Sequence, residues 1–490
     1  MKKTILFPLF VLLLFTLNVA AQSITGKVLD EQQRPIGYVN IQIGPSYNVV
    51  TNIEGVFIVN LQGQTKIDKV TISYIGFETR VIPLADFKDG TYVLKEQVNE
   101  LDEVHITHKK MSPTEILAEV IKNVEKNYDQ TPVKQTFFLR SSNINKTIDS
   151  KFELLKSSLD KKSSLNELNK DIEEMTNKSK NQISKDFSES YGFLYEQNKE
   201  RKLLVEKAIE LKNREKDVSG DQINSKVIEI IKKYLEPGAT YNVRSGLFPV
   251  DDSLKIGSAK KDIRNDVKIA SLKSKVTSLS GLHNKFYANK DLDFLTEYKR
   301  YTYALDGYAT LNDETIYIID FKPLKSSAKY SGKIYVNAND FAIVKLEYNM
   351  IEGKTGDHVN LKFLLGVKMI EDRLKVSATY SKNEMGQYAV NFVKEQKGIY
   401  LFMNRSLKFT KNKTDQKEED KMLKIDLLVE TDIYSINELF ILNRAPINSD
   451  EFKKILEKEK YKINYMSKYD ASTWNSYNIL APVEAIKNYK

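Results

Sequence analysis

Cysteine is absent from all 490 residues, which removes disulfides, thiolate nucleophiles and cysteine-ligated zinc or iron–sulfur centres together. Histidine occurs only four times and tryptophan once, so multi-histidine metal sites and Ser–His–Asp chemistry have little raw material. Past the N-terminal stretch no run of about 18 uninterrupted apolar residues occurs, so no transmembrane helix is expected. Gly-x-Ser-x-Gly, His-Glu-x-x-His, the Walker loop and the Rossmann glycine fingerprint are all missing. Most familiar hydrolase and nucleotide-binding designs are thereby excluded.

What is present is a globular composition. Hydrophobic residues make up 41% and charged residues 29%, and 27 Tyr with 22 Phe are too many aromatics for a disordered chain. At about 150 residues per domain, the length suggests about three folded units. The net charge of +9 comes from lysines scattered through charged segments. Nucleic-acid binding asks for clustered basic residues interleaved with stacking aromatics, so no nucleic-acid partner is expected.

The N-terminus carries an export signature. Lys2 and Lys3 precede an apolar stretch from Ile5 to Val19, interrupted by Pro8, Thr16 and Asn18, and Val19-Ala20-Ala21 stand ahead of Gln22. Charge, apolar core and small-residue exit in that order predict a signal peptide over residues 1–21, cleaved after Ala21. The expected location is the periplasm, free or associated with the outer membrane, with peripheral membrane association allowed. No cysteine follows to carry a lipoprotein anchor.

Residues 22–107 read as a small β-sandwich. Val39, Ile41 and Ile43 alternate, as do Val70, Ile72 and Tyr74, and Asn52-Ile53-Glu54-Gly55 is a turn signal ahead of Phe57 and Val59. The runs Ile24-Thr25-Gly26-Lys27-Val28, Pro35-Ile36-Gly37-Tyr38-Val39, Thr51 to Phe57 and Ser73-Tyr74-Ile75-Gly76-Phe77-Glu78-Thr79, closed by Leu101-Asp102-Glu103-Val104, resemble the carboxypeptidase-regulatory-like domain. The resemblance implies a transthyretin-like, seven-stranded sandwich of the kind found at the front of Bacteroidetes envelope proteins, including many TonB-dependent receptors. It implies no catalytic residue, because that domain accompanies carboxypeptidases without doing their chemistry. His105 and His108 follow it. On extended chain, residues three apart face opposite ways, so these two histidines read as linker.

Residues 108–290 are expected to form a capped helix, a strand and a charged helical region. Ser112-Pro113-Thr114-Glu115 supplies an N-cap, a first-turn proline and a capping-box glutamate, followed by Ile116, Leu117, Val120, Ile121 and Val124 at helical spacing. Val133 to Arg140 reads as a strand. Leu165, Leu168, Ile172 and Met175 form a short heptad-like seam, within a Lys-, Ser- and Asn-rich span (156–186) that is also compatible with disorder. Leu203-Leu204-Val205 with Ala208, Ile209 and Leu211 is helix-compatible but is also compatible with a strand, and Val227 to Tyr234 suggests another helix.

Residues 291–490 are dominated by amphipathic strands. Ala342, Val344, Leu346 and Tyr348 line one face of a strand whose other face holds Lys345 and Glu347. Similar runs recur near Lys299 to Ala309, Leu361 to Val367, Arg373 to Tyr380, Tyr388 to Lys394, Tyr400 to Phe409 and Leu423 to Val429. A meander of about eight such strands curls, predicting a curved antiparallel sheet or half-barrel with a helical tail. Phe137-Phe138-Leu139-Arg140, Tyr330 to Val336, Asp340 to Val344 and Tyr469 to Asn478 resemble an uncharacterised region found behind regulatory-like domains in Bacteroidetes envelope proteins, which implies an envelope role and no reaction. Trp474 reads as a core or docking anchor. The expected fold class is a multidomain, β-rich α+β protein.

Catalytic constellations are thin. Ser278, Ser280 and His283 are close in sequence only, and the acid pairs Asp251-Asp252 and Asp291/Asp293 lack further ligands or a glycine turn. No catalytic, metal-ligating or cofactor-binding residue is nominated, no cofactor is expected, and the binding residues are unknown at this stage. The leading expectation is a non-catalytic exported envelope protein that binds or bridges envelope protein partners. The alternative is a carrier of an apolar, lipid-like ligand in the groove of the curved sheet, and the third is an enzyme of unrecognised type using acid-only chemistry.

Overall fold

A computed structural model describes residues 23–489 apart from 45–46, 62–66, 98–110, 129–131, 159–161, 213–234, 237, 247, 256–265, 289, 384 and 414–420. The expected leader, His105, His108 and the proposed helix at Val227 to Tyr234 lie outside the described residues. The chain forms two compact units. The first holds the N-terminal residues up to 100 with the short segments 310–313 and 470–487, and the second holds the rest.

The first unit is a seven-stranded sandwich. Its strands are β1 (Ser23–Leu29), β2 (Asn40–Ile43), β3 (Tyr47–Val50), β4 (Val56–Asn60), β5 (Lys69–Ser73), β6 (Arg80–Pro83) and β7 (Gly90–Val93). They order as β4-β1-β7 in one sheet and β3-β2-β5-β6 in the other, with β1 and β7 parallel. The alternation seen in sequence becomes one core, in which Val28, Ile41, Phe57, Val70 and Ile72 are wholly buried; each such side chain contributes about 1.5–3 kcal/mol through burial. Two glycines of the sequence pattern have distinct causes. A Cβ on Gly26 would stand 2.3 Å from the Phe57 ring, whereas Gly55 closes its turn at φ +75°.

The C-terminal tail completes this unit instead of continuing the sheet domain as a helical end, as the sequence had suggested. Asn478 presents its amide to the backbone of Asn60 at the end of β4, accepting from its N–H (2.5 Å) and donating to its carbonyl (2.8 Å). Asn52 accepts from Glu54 and Val56 within its turn and donates to the Ala481 carbonyl. Trp474 is 3% exposed and packs edge-on against Tyr477. Side-chain amides thus replace a strand at a sheet end, an arrangement with no hydrophobic period to reveal it.

The second unit is built on one fourteen-stranded sheet. From the middle of the chain come β8 (Val133–Ser157), β9 (Ile183–Gln197), β10 (Glu200–Leu211), β11 (Thr240–Ser245) and β12 (Phe248–Lys255), with β13 (Asp266–Lys268) forming a small separate pair. From the C-terminal part come β14 (Tyr301–Leu311), β15 (Glu314–Pro323), β16 (Tyr330–Asn337), β17 (Ile343–Met350), β18 (His358–Leu361), β19 (Val367–Lys382), β20 (Tyr388–Lys411), β21 (Met422–Pro446), β22 (Lys460–Lys462) and β23 (Asn464–Met466). The main path runs β14-β15-β16-β17-β19-β20-β21-β8-β9-β10-β23.

The expected boundary at 290/291 therefore falls inside a single sheet, and the expected charged helical middle is mostly strand. Among the described residues, its longer helices are α1 (Pro113–Lys122), α2 (Lys162–Ser179) and α3 (Ile269–Asn284), with a single turn at Val124–Asn127. The capping box forms as expected, with Ser112 Oγ accepting from Glu115 N–H and Glu115 accepting from Ser112 N–H. The span expected to be helical or disordered resolves into α2 between two strands. Leu203-Leu204-Val205 lies in β10, where Leu203 faces Leu194 of β9; a 12-residue strand between partners overrides weak helical spacing. The strand expected from Leu361 to Val367 is interrupted by a helical turn at Lys362–Leu365, closed by Gly366 in the left-handed region.

The sheet curls around the end of α3. Tyr348 of β17 bonds His283, Tyr380 of β19 donates to the His283 carbonyl (2.9 Å), and Val390 of β20 donates to Asn284. From the other side, Arg201 of β10 lies against Gly281 and Lys285 donates to Asn198 in the β9–β10 turn. Strands β17 and β10 are six strand intervals apart, about 29 Å on a flat sheet, yet both reach one helical turn. The curved antiparallel sheet expected from strand number is thus present, with more strands than the eight counted in sequence.

Candidate functional site

Strands β8, β20 and β21 have 25, 24 and 25 residues. A fully extended strand of 25 residues reaches about 80 Å, whereas the 16 residues of α3 make about 24 Å of helix. One helix cannot cover that length, and register shows what covers the rest. Lys275 of α3 donates to Ser141 Oγ (3.2 Å), and Ser141 stands opposite Asn437 and then Glu395. This row marks the helix-covered face near the end of α3's reach.

Far along the same face a second cover begins. Phe152, Leu154, Leu423, Ile425 and Phe409 pack with Leu165 and Ile172 of α2 and with Tyr241 and Val243 of β11. The seam residues Leu165 and Ile172 are thus a packing stripe. Asn169 pins α2 to the strand, accepting from Leu154 N–H (2.8 Å) and donating to the Leu154 carbonyl (2.9 Å). This pairing sits where the β8–β21 register shifts, between Lys424 and Ile425.

Between the two covers lie three rows with a different character. Ile433 pairs with Ile399, Thr431 with Leu401 and Met369, and Val429 with Met403 and Val367. All of these side chains are half-buried. The three rows span about 13 Å along the strands, forming a trough whose floor is apolar. At the α3 end it meets a polar row, where Lys397 pairs with Glu371 at 2.7 Å and Glu395 accepts from Asn437. Burial is the largest single influence on the Lys397 ammonium and works to lower its pKa. The hydrogen bond and charge of Glu371, together with the nearby carboxylates of Glu395 and Asp357, raise it on balance. Lys275, with no carboxylate bonded to it, has its pKa lowered by burial.

The reverse face of the same rows is charged. Arg373 pairs with Asp432 and Asp372, Tyr400 donates to Glu430 (2.6 Å), and Gln396 donates to Tyr434 (2.9 Å). The hydrogen bond to Glu430, with burial, pushes the Tyr400 hydroxyl up to about 12. Apolar residues on the concave face and ion pairs on the reverse are the pattern of a sheet with one wet side.

The catalytic arrangements weighed in sequence separate in space. Ser280 donates to the Val276 carbonyl inside α3, and His283 bonds Leu279 and Tyr348, so each hydrogen-bonds other partners rather than the other. Asp293 is engaged by Arg300 and by the Tyr301 hydroxyl (2.6 Å), while Asp251 and Asp252 lie on β12 with side chains outside the described residues. Among the described residues no three His, Asp or Glu side chains converge as metal ligands, and no helix is long and apolar enough to cross a membrane. The trough residues escaped sequence analysis because they alternate in the ordinary way; only register aligns them across the three strands β19, β20 and β21.

Residues 24–106 match the family model of the CarboxypepD_reg-like domain. The sandwich covers the matched residues, in agreement with the motifs quoted above; Gly26, Asn52 and Gly55 of those motifs serve packing and turn closure. No curated protein matches the chain. Among solved structures the chain is similar to a LolA superfamily protein from Nitrosomonas europaea, at 10% identity and a TM-score of 0.21, over 70% of this chain and 97% of that one. A likeness at that score carries no argument about fold or ligand.

Proposed function

We propose that the chain is a non-catalytic, exported envelope protein that holds an apolar, lipid-like ligand in the trough between α3 and α2. One observation carries this reading: half-buried Ile399, Leu401, Met403, Met369, Val429 and Ile433 face the concave side while the opposite side of the same strands is an ion-pair ladder. A sheet that needed both faces solvated would not place these side chains in register, and a packed core would seal them. Binding of such a ligand rests on removing apolar area from water. The polar row at Lys397, Glu371 and Glu395 gives an amphiphile a place for its head.

The test is organic extraction of the full chain purified from its envelope fraction, followed by lipid mass spectrometry, alongside uptake of a fluorescent acyl probe. Wild type should carry lipid and take up the probe, and L401E/M403E should lose both while keeping its melting profile. Lipid-free wild type that also ignores the probe would refute the reading. N-terminal sequencing of the same material should begin at Gln22; a chain beginning at Met1 would refute the export part.

A further inference from the structure

On the reverse face of the long strands, opposite the trough, charges are set against one another in two different ways. Toward the α3 end, Lys394 of β20 stands opposite Glu438 of β21, Glu438 opposite Arg140 of β8, and Arg140 opposite Glu189 of β9. Signs alternate across that row, the arrangement that stabilises facing side chains. Farther along β20 on the same face, Lys408 stands opposite Arg244 of β11 on one side and Lys424 of β21 on the other. Lys424 in turn stands opposite Lys156 of β8. Four cations are thus set side by side over about 14 Å. Arg244, Lys408 and Lys156 are exposed and Lys424 is half-buried.

Like charges directly opposite one another cost stability, and the sheet does not offset this row. Among the described residues none of the four side chains has an ion-pair or hydrogen-bond partner. The next row on that face holds Asp426 and Glu153, and Lys151 takes Glu153 at 2.8 Å. Exposed apolar side chains bracket the cations. Leu155, bulged out of register beside Lys156, is 40% exposed, and Phe363 is 100% exposed. Phe363 belongs to the helical turn at Lys362–Leu365, which is fixed close to Arg244. Arg405 donates to the carbonyls of Leu365 and Ser245, and Asn404 N–H donates to the Gly366 carbonyl (2.7 Å). The turn reaches the reverse face, where the Lys362 ammonium lies over the Phe402 ring at 4.0 Å.

We propose that this patch docks the protein on an anionic lipid bilayer, with the cation row at the level of the phosphates and Phe363 and Leu155 entering the interface. Anionic headgroups relieve the repulsion within the row, and each cation held near such a surface adds affinity. The apolar side chains add to it by leaving water. A bilayer accepts a phenyl ring at any lateral position, whereas an acidic protein would need a pocket placed to match Phe363. The patch lies on the face opposite the trough, so an empty trough would leave this proposal intact.

The experiment is vesicle flotation of the full chain with phosphatidylcholine alone and with a phosphatidylcholine–phosphatidylglycerol mixture, and with soluble polyglutamate as competitor. Wild type should bind the mixed vesicles at least about tenfold more tightly than the neutral ones, and salt should weaken that binding. K408Q/K424Q should lose about twentyfold while melting at or above the wild-type temperature, because the substitutions remove a repulsion. F363S should lose at least about fivefold, K408R/K424R should retain binding, and L401E/M403E should leave it unchanged. Equal binding to the two vesicles, an unaffected K408Q/K424Q, or loss of binding in L401E/M403E would each overturn the proposal. Binding that polyglutamate abolishes and F363S leaves untouched would assign the row to an acidic protein and overturn it as well.

Discussion

Acidification offers the sharpest test of how the sheet closes on α3. His283 is fully enclosed; its Nδ1–H donates to the Leu279 carbonyl (2.8 Å) and its Nε2 accepts from the Tyr348 hydroxyl (3.3 Å). The Leu279 carbonyl can only accept, so the neutral ring has both nitrogens satisfied, whereas a protonated ring would turn a donor toward a hydroxyl in an apolar pocket. Burial lowers the pKa from 6.5 to about 4, against the smaller opposing effect of the Leu279 carbonyl. A folded-state pKa below the unfolded value means that the unfolded chain takes up the proton first. Stability is therefore intact above the unfolded value and falls as pH drops through the window from 6.5 towards 4. Between pH 7 and pH 5 this one group should remove about 2 kcal/mol. Urea unfolding of wild type and H283Q at both pH values, followed by near-UV circular dichroism, measures it. Wild type should lose about 2 kcal/mol more than H283Q across the interval, whatever the stability of H283Q at pH 7. Equal losses in the two proteins would refute the account of a neutral, sealed imidazole.

Three further outcomes follow from the packing. Arg140 and Glu189 are 1% and 2% exposed, with Arg140 Nη2 and Nε donating to one Glu189 oxygen at 2.6 and 2.8 Å; R140M should cost about 3–5 kcal/mol in urea unfolding, and R140M/E189M should recover most of it. Trp474→Ala should remove about 3–5 kcal/mol from the sandwich unit, seen by calorimetry as a lowered melting step for that unit with the sheet unit unmoved. Asn169→Ala removes both hydrogen bonds to Leu154, at about 1–3 kcal/mol, and should accelerate hydrogen exchange in α2 more than in β10.

The sandwich was legible in sequence because its signals are local. Val39, Ile41 and Ile43 alternate within one strand, and Asn52 to Gly55 closes one turn, so short windows contain the physics that places them. The capped start of α1 was readable for the same reason. The middle of the chain was not. Leu203 to Leu211 offers an apolar pattern that fits either period, and its strand state is decided by β9 alongside it. Gln135 to Ser157 shows few alternations, yet it pairs along nearly its whole length with β21, some 290 residues away.

Composition and local pattern by themselves determined the absence of thiol chemistry, the sandwich with its glycine turns, and a β-rich remainder with too many strands to stay flat. Tertiary structure alone decided that the middle and C-terminal parts share one sheet, that the tail closes the sandwich, and that an apolar trough and a row of facing cations exist. The physical reason is register: a row of side chains such as Val367, Met403 and Val429 is spread over more than 60 residues of chain and becomes a surface only when backbone hydrogen bonds bring the strands side by side.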